Sequence, residues 1–219
     1  MVLHKPAGWH SVEVRSSSGG EVLSRWIAVQ FAAQARLPDA GLVHRLDQCT
    51  SGCMIAARDA SVHGMLREAV SGRGSMHIKK VYLALVRPGI APQGRFELVF
   101  SSRHKGSTKA TVRRDGEGEL GECSWRVVRA AEKTSDNGID AATTPLAFDL
   151  IEVEIHGPGR RHQIRAGMAF TGHPLAGDAL YRGAPLNPKW SAGCFTLHAW
   201  RVEIGDLLVE SPRPTWAIV

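Results

Sequence analysis

One carboxylate in the first quarter of the chain lies where two apolar segments meet. Asp47 follows the apolar pair at residues 42–43, and the hydroxyl-bearing Thr50 and Ser51 separate it from the apolar run 53–57. This pattern predicts strand, loop and strand with Asp47 on the loop, a common setting for functional residues. A carboxylate there could act as a nucleophile or remove a proton. A simpler interpretation is a turn, since Asp and Thr side chains bond nearby amides.

Three other segments also contain residues suited to chemistry. Residues 5–9 are K-P-A-G-W, and residues 159–165 are G-R-R-H-Q-I-R. Between them, the alternation over residues 78–86 predicts a strand that places Lys80 and Tyr82 on the same face. Without the other segments, the default interpretation is an amphipathic edge strand with both of these side chains in solvent.

Together, and in this order, the segments resemble the RluA-like family of RNA pseudouridine synthases. The shared motifs are K-P-A-G, H-R-L-D-x-x-T-S-G, K-x-Y-x-A and G-R-x-H-Q-I-R, at residues 5–8, 44–52, 80–84 and 159–165. The resemblance covers about residues 2–204, and the match to the second motif is complete. Such an enzyme cuts the N–C glycosidic bond of a uridine in RNA, turns the uracil over and rejoins it through carbon.

The resemblance implies three catalytic residues. Asp47 matches the catalytic aspartate, Arg165 matches the arginine that pairs with it, and Tyr82 matches the ring that stacks on the target uracil. An ionised carboxylate in a partly dry site needs an opposite charge, because it would otherwise tend to protonate. Both covalent attack by Asp47 and removal of a ribose proton by Asp47 are compatible with the sequence.

The resemblance also implies four substrate-binding residues. The target base must be extruded from the RNA stack; Arg45 resembles the residue that fills the gap, and Leu197 is expected beneath the flipped base. Lys80, Arg160 and the basic stretch 103–114 are candidates for phosphate contacts, which are electrostatic. Where relatives usually have threonine before the Gly-Arg pair, this chain has proline, which bears on the geometry of Arg160.

Composition favours an anionic partner. Lys and Arg outnumber Asp and Glu by 27 to 21 among 219 residues, giving a net charge of +6 and a pI near 9.5. This balance indicates nucleic acid, although a merely soluble basic surface would have the same composition. The resemblance implies that the partner is RNA, a ribosomal or transfer RNA stem-loop, and not a membrane. Without a transmembrane-length run or a secretory signal, the chain is predicted to be cytoplasmic.

The cysteines give no metal-binding pattern. Cys49 and Cys53 are followed by no second pair with ligand spacing, so we expect both to be small packed residues beside the Asp47 loop. A disulfide framework is not expected for a cytoplasmic chain of this size. The sequence therefore predicts a protein without metal and without cofactor.

The predicted fold is α+β: the pseudouridine synthase fold, with a mixed, mostly antiparallel central sheet flanked by helices and a central RNA-binding cleft.

The chain length suits one domain or two tightly joined lobes. We expect a single catalytic domain over residues 1–219, with no N-terminal S4-type RNA-binding module, and a monomer. A mobile loop or an insertion is predicted over residues 131–145. Strands are predicted at about 2–4, 53–57, 78–86, 123–128, 148–155 and 201–204, and helices at about 21–36, 60–70 and 162–171.

Two alternatives to an active isomerase remain. The first is a catalytically silent RNA-binding or RNA-folding protein on the same fold, although such a protein would have no need to retain Asp47, Tyr82 and Arg165. The second is a nucleoside or glycoside hydrolase, which usually needs two cooperating carboxylates. Asp47 is the only carboxylate within the four motifs.

Overall fold

The fold, seen in a computed structural model, is α+β, with a mostly antiparallel open central sheet and few helices. The structure describes residues 1–13, 20–102, 107–132 and 144–218. The chain divides into two compact units: unit 1 comprises Met1–Lys80 and Ala199–Pro212, and unit 2 comprises Val81–His198 and Arg213–Val219.

The helices and strands are numbered in chain order. The α-helices are α1 (Leu23–Gln30), α2 (Ala60–Val70), α3 (Gln163–Phe170) and α4 (Pro188–Ser191). The strands are β1 (Val2–Lys5), β2 (Ser51–Ile55), β3 (Ile78–Val86), β4 (Gln93–Ser102), β5 (Ala110–Arg113), β6 (Glu119–Arg129), β7 (Asp149–His156), β8 (Leu197–Ile204) and β9 (Leu207–Glu210).

Unit 1 positions the loop that contains Asp47. Strand β1 pairs antiparallel with β2, and β9 pairs antiparallel with β8. Gly52, the second residue of β2, has φ of 109°, and a Cβ there would lie 2.2 Å from the carbonyl oxygen of Ala199. Glycine is therefore required at the point where the loop enters β2. One buried hydrophobic cluster of this unit comprises Val43, Cys53, Ile55, Ala57, Leu66 and Val202.

Unit 2 positions the helix that carries Arg165. Its strands lie in the order β3, β7, β6, β4, β5, and the pairings of β6 with β7 and of β4 with both β5 and β6 are antiparallel. Helix α3 buries Ile164 and Met168, as its helical spacing predicts. It approaches β4 so closely that a Cβ at Gly167 would lie 2.2 Å from the Phe96 ring.

The predicted elements agree best with the structure where the periodicity is strongest. Helix α2 and strand β3 have the predicted bounds, and Asp59 caps α2 by accepting a hydrogen bond from the Val62 amide at 2.9 Å. Helix α1 is shorter than predicted, because the backbone leaves helical geometry at Phe31 and then continues into short 3-10 helices. Strand β8 begins at Leu197, four residues before the predicted strand.

Strand β3 is buried on both faces. Lys80 and Tyr82 are 6% and 7% exposed, and every residue from 80 to 86 is buried. The alternative interpretation as an edge strand with these two side chains in solvent is therefore wrong. A strand covered on both sides becomes almost continuously apolar, which is how β3 continues after Lys80.

Some expectations from the sequence fall partly outside the described residues. This holds for residues 103–106 of the basic stretch and for residues 133–143 of the predicted mobile loop. The single-domain assignment and the monomeric state remain predictions. No helix in the described part of the chain is both long enough and apolar enough to cross a membrane.

Candidate functional site

The Asp47 loop is anchored on both sides of the aspartate. The Ser11 hydroxyl donates to the Leu46 carbonyl at 2.8 Å and accepts from the Leu46 amide at 2.9 Å. On the other side, the Gln48 carbonyl accepts from the Gly8 amide at 2.9 Å and from the Lys5 ammonium at 3.0 Å. Because both of its neighbours are fixed to the N-terminal segment, half-buried Asp47 has little backbone freedom.

Lys5 is the charged centre of this anchor. Its side chain is fully buried, and its Nζ donates to the carbonyls of Pro6, Trp9 and Gln48 at 3.0, 2.7 and 3.0 Å. Burial lowers the pKa of Lys5 to about 8, while the negative charge of Asp47 acts in the opposite direction. The K-P-A-G motif therefore provides a cation that holds the Asp47 loop, a role the sequence did not predict.

The turn after Asp47 is formed by backbone atoms. The Thr50 amide donates to the Asp47 carbonyl at 3.0 Å, whereas the buried Thr50 hydroxyl has no hydrogen-bond partner among the described residues. The turn interpretation is thus correct for the backbone and does not account for the Asp47 carboxylate. Cys53 is a buried free thiol, as expected for a packed residue, but Cys49 is disulfide-bonded, contrary to expectation.

His44 and Arg45 precede Asp47 in the same motif, and the charge of Lys80 acts on His44. His44 accepts a hydrogen bond from the Ile55 amide at 3.0 Å, which makes it a structural partner of the loop. Burial, and then the positive charge of Lys80, lower the pKa of His44 to about 3, so the ring is neutral. Arg45 is exposed beside Asp47, whereas Lys80 is buried. Burial argues against Lys80 as a phosphate contact.

In unit 2, Arg165 forms a buried ion pair with Asp178. Its Nε donates to Asp178 Oδ2 at 2.7 Å and its Nη2 to Asp178 Oδ1 at 3.0 Å, and the two side chains are 7% and 1% exposed. Two parallel charge-assisted hydrogen bonds fix the plane of the guanidinium as well as its position. Asp178 thus supplies a counter-ion for Arg165, a role that the sequence did not predict.

Two aromatic rings also lie close to the Arg165 guanidinium. The guanidinium carbon lies 4.0 Å from the Phe195 ring centroid and 5.3 Å from that of Tyr181. Guanidinium groups stack favourably on aromatic faces, because the ring quadrupole attracts the cation. Arg165 therefore stays charged and oriented in a site that is almost closed to solvent.

The remaining predicted site residues of unit 2 differ in their surroundings. Tyr82 lies buried on β3, and Leu197, 6% exposed, begins β8. Arg160 donates through Nε to the Leu120 carbonyl at 2.7 Å and through Nη1 to Glu119 at 3.1 Å. Since these donors already bind the protein's own β6, the assignment of Arg160 as a phosphate contact is weakened.

The described ranges of the chain contain no group of three His, Cys, Asp or Glu residues that could hold a metal ion.

Lys5 generates a pH-dependent prediction. Because its pKa is about 8 in the folded protein and 10.5 in an unstructured chain, the unfolded state binds more protons between these values. The free energy of unfolding should then rise with pH through this window, by up to ~1.4 kcal/mol per pH unit. In Lys5→Met this rise should be lost. Urea unfolding at pH values below, between and above these two pKa values measures the free energy of unfolding.

Lys79→Met is the matched control, because the Lys79 side chain is 42% exposed. This variant should keep the wild-type pH profile. Parallel profiles for wild type and Lys5→Met would contradict the assignment of the buried charge to Lys5.

Breaking the buried Arg165–Asp178 ion pair should lower the stability of the protein strongly. Asp178→Asn removes the charge that compensates a buried guanidinium, and such losses are about 3–5 kcal/mol. As a control, Glu210→Gln breaks the Arg201–Glu210 pair, whose side chains are 27% and 44% exposed, and should cost less than about 1 kcal/mol. Both free energies of unfolding are measured with denaturant. Equal losses in the two variants would show that the buried pair contributes no more to stability than the exposed pair.

Comparison with known proteins places this arrangement in a family. Residues 1–170 match the family described as RNA pseudouridylate synthase. Ribosomal large subunit pseudouridine synthase D of Neisseria meningitidis serogroup A / serotype 4A is 30% identical over 229 residues, which cover 98% of this chain and 56% of the relative. The enzyme of the same name from Xylella fastidiosa is 32% identical over 196 residues, covering 86% and 50%.

The fold agrees with this match. The solved structure of human RNA pseudouridylate synthase domain containing 4 aligns with a TM-score of 0.67 at 20% identity, covering 99% of this chain and 86% of the human one. The chain spans about half the length of the curated relatives that it matches. By the match over residues 1–170, the chain belongs to the RNA pseudouridylate synthase family.

Proposed function

We propose that the protein is an RNA pseudouridine synthase that isomerises specific uridines of ribosomal RNA to pseudouridine. The observation that carries the proposal is the anchored Asp47, held by Ser11 and Lys5 within a complete H-R-L-D-x-x-T-S-G motif. An acid fixed at its backbone on both sides is pre-organised for one geometry of attack, which is where much of an enzyme's rate advantage originates.

Asp47 is the proposed catalytic carboxylate. It either attacks the uridine covalently, which splits the rearrangement into two steps, or removes a ribose proton and allows the base to leave. In both routes the N–C bond breaks, the uracil turns over and a C–C bond to the ribose forms. No electron donor or phosphate donor is required, since the product is an isomer of the substrate.

Arg165 and Tyr82 are the proposed catalytic partners of Asp47. A guanidinium held in position by Asp178 can stabilise negative charge without reorganising during the reaction. Tyr82 is proposed to stack on the uracil and to accept the proton from its carbon. An aromatic face holds a base without sequence-specific hydrogen bonds, at about 1–3 kcal/mol per stacked base.

The proposed substrate is RNA, in the cytoplasm. The net charge of +6 supports electrostatic attraction to phosphates, and two relatives named above are ribosomal large subunit pseudouridine synthases. Exposed Arg45 is proposed to fill the place of the extruded base, with Leu197 beneath that base. Transfer RNA is the competing substrate, and the experiments below include it.

The proposed role of Asp47 can be tested by label release. RNA labelled with tritium at carbon 5 of uridine should release its label on isomerisation, because that carbon forms the new glycosidic bond. Wild type should release label without free uracil, and Asp47→Asn should be slower by at least about 10²–10⁴-fold. Ribosomal and transfer RNA fragments are compared as substrates.

Asp206→Asn serves as the control, since Asp206 is an exposed carboxylate in the turn between β8 and β9; its activity should equal that of wild type. Release of free uracil would indicate a hydrolase instead. RNA binding without any label release would indicate the silent RNA-binding alternative.

Two variants separate the two proposed roles of Tyr82. Tyr82→Phe keeps the ring and removes the hydroxyl, so RNA affinity should change little while single-turnover rates fall by about 10²-fold or more. Tyr82→Leu also removes the stacking surface and should lower both. If Tyr82→Phe turned over at the wild-type rate, the phenol would not be the base.

A further inference from the structure

We propose that Tyr181 is a positioning residue that couples residues 107–113, here called the β5 segment, to the start of α3 and so to Arg165. The proposal rests on the proposed function for the role of Arg165 in catalysis. It adds a residue and an RNA-responsive connection that the four sequence motifs do not contain.

The Tyr181 hydroxyl joins two separate parts of unit 2. It accepts a hydrogen bond from the Ala110 amide at 2.9 Å, and it lies 2.9 Å from His162 Nδ1. Tyr181 and Ala110 are 5% and 4% exposed, so water is largely excluded from this junction. The Tyr181 hydroxyl therefore binds the β5 segment and the residue that precedes α3 at the same time, whichever ring tautomer His162 adopts.

The residues before α3 make further bonds to the same region. Arg161 donates through Nη1 to the Ser107 carbonyl at 2.6 Å and through Nη2 to the Thr108 carbonyl at 3.0 Å. Arg160 reaches the Leu120 carbonyl in β6. Residues 160–162 therefore bind the β5 segment and strand β6, and they lead directly into α3.

His162 is the link from this junction to the helix. Its φ is 53°, a left-handed conformation that a non-glycine residue adopts only when its surroundings enforce it. The Tyr181 bond holds the His162 ring in place, while the His162 carbonyl accepts from the Ala166 amide at 2.8 Å in the first turn of α3. Arg165 lies in that turn, so a shift of His162 would move the guanidinium.

The Tyr181 ring provides a second connection. Its centroid lies 5.3 Å from the Arg165 guanidinium carbon and 5.1 Å from Nζ of Lys109, a residue of the β5 segment. Lys109 and Arg113 are exposed cations of that segment and are therefore suited to RNA phosphates. Contact of the RNA backbone with the β5 segment and orientation of Arg165 thus depend on the same tyrosine.

Tyr181→Phe tests the coupling, because it keeps the ring and removes only the hydroxyl. Amide hydrogen exchange should become faster both at Ala110 and at Ala166, since one hydroxyl restrains both segments. In label-release assays we expect kcat to fall about tenfold with the apparent Kd for RNA nearly unchanged. Thr171→Val is the control: it removes a hydroxyl that donates to the Met168 carbonyl at the other end of α3, and both readouts at the junction should match wild type.

Faster exchange at Ala110 with unchanged exchange at Ala166 would overturn the proposal, as would a wild-type kcat in Tyr181→Phe. A fall in RNA affinity with constant kcat would also overturn it, because Tyr181 would then serve RNA binding alone. If the wild-type protein released no label from any RNA, the proposed function would fail. The amide exchange rates at Ala110 and Ala166 in Tyr181→Phe would still test whether Tyr181 couples the two segments.

Discussion

The buried ion pair between Arg165 and Asp178 is the interaction on which the proposed chemistry depends. A guanidinium that is 7% exposed would be strongly disfavoured without a counter-ion, and Asp178 binds it with two hydrogen bonds while the rings of Phe195 and Tyr181 lie close to it. Desolvated ion pairs are seldom the most stable use of a core position. Here the pair holds a cation in a fixed orientation, which is what a site that stabilises developing charge requires.

The Asp47 loop of unit 1 follows the same principle with different groups. Lys5 sits fully buried among three carbonyls, and Ser11 fixes the residue on the other side of Asp47. The depressed pKa of Lys5, about 8, shows that burial outweighs the attraction of Asp47. In unit 1 the buried Lys5 holds the Asp47 loop, and in unit 2 the buried Asp178 holds Arg165. Stability and the proposed function therefore depend on the same residues.

Sequence periodicity predicted the elements that bury one clear face or a continuous apolar run. Helix α2 and strand β3 have the predicted bounds, and Asp47 lies on the predicted loop before β2. The counter-ion role of Asp178 was not predicted, since a pair separated by 13 residues across a turn leaves no periodic signal. The burial of Lys5 was missed because lysines are normally exposed, and its three backbone acceptors become apparent only after folding.

The most direct test of the central claim, that this chain isomerises uridines through Asp47, is a pseudouridine map of cellular RNA. RNA from cells with the gene, without it, and complemented with an Asp47→Asn allele would be mapped at single-nucleotide resolution. Specific ribosomal RNA positions should lose pseudouridine on deletion and regain it with the wild-type allele but not with Asp47→Asn. Identical maps in all strains, or full restoration by Asp47→Asn, would contradict it.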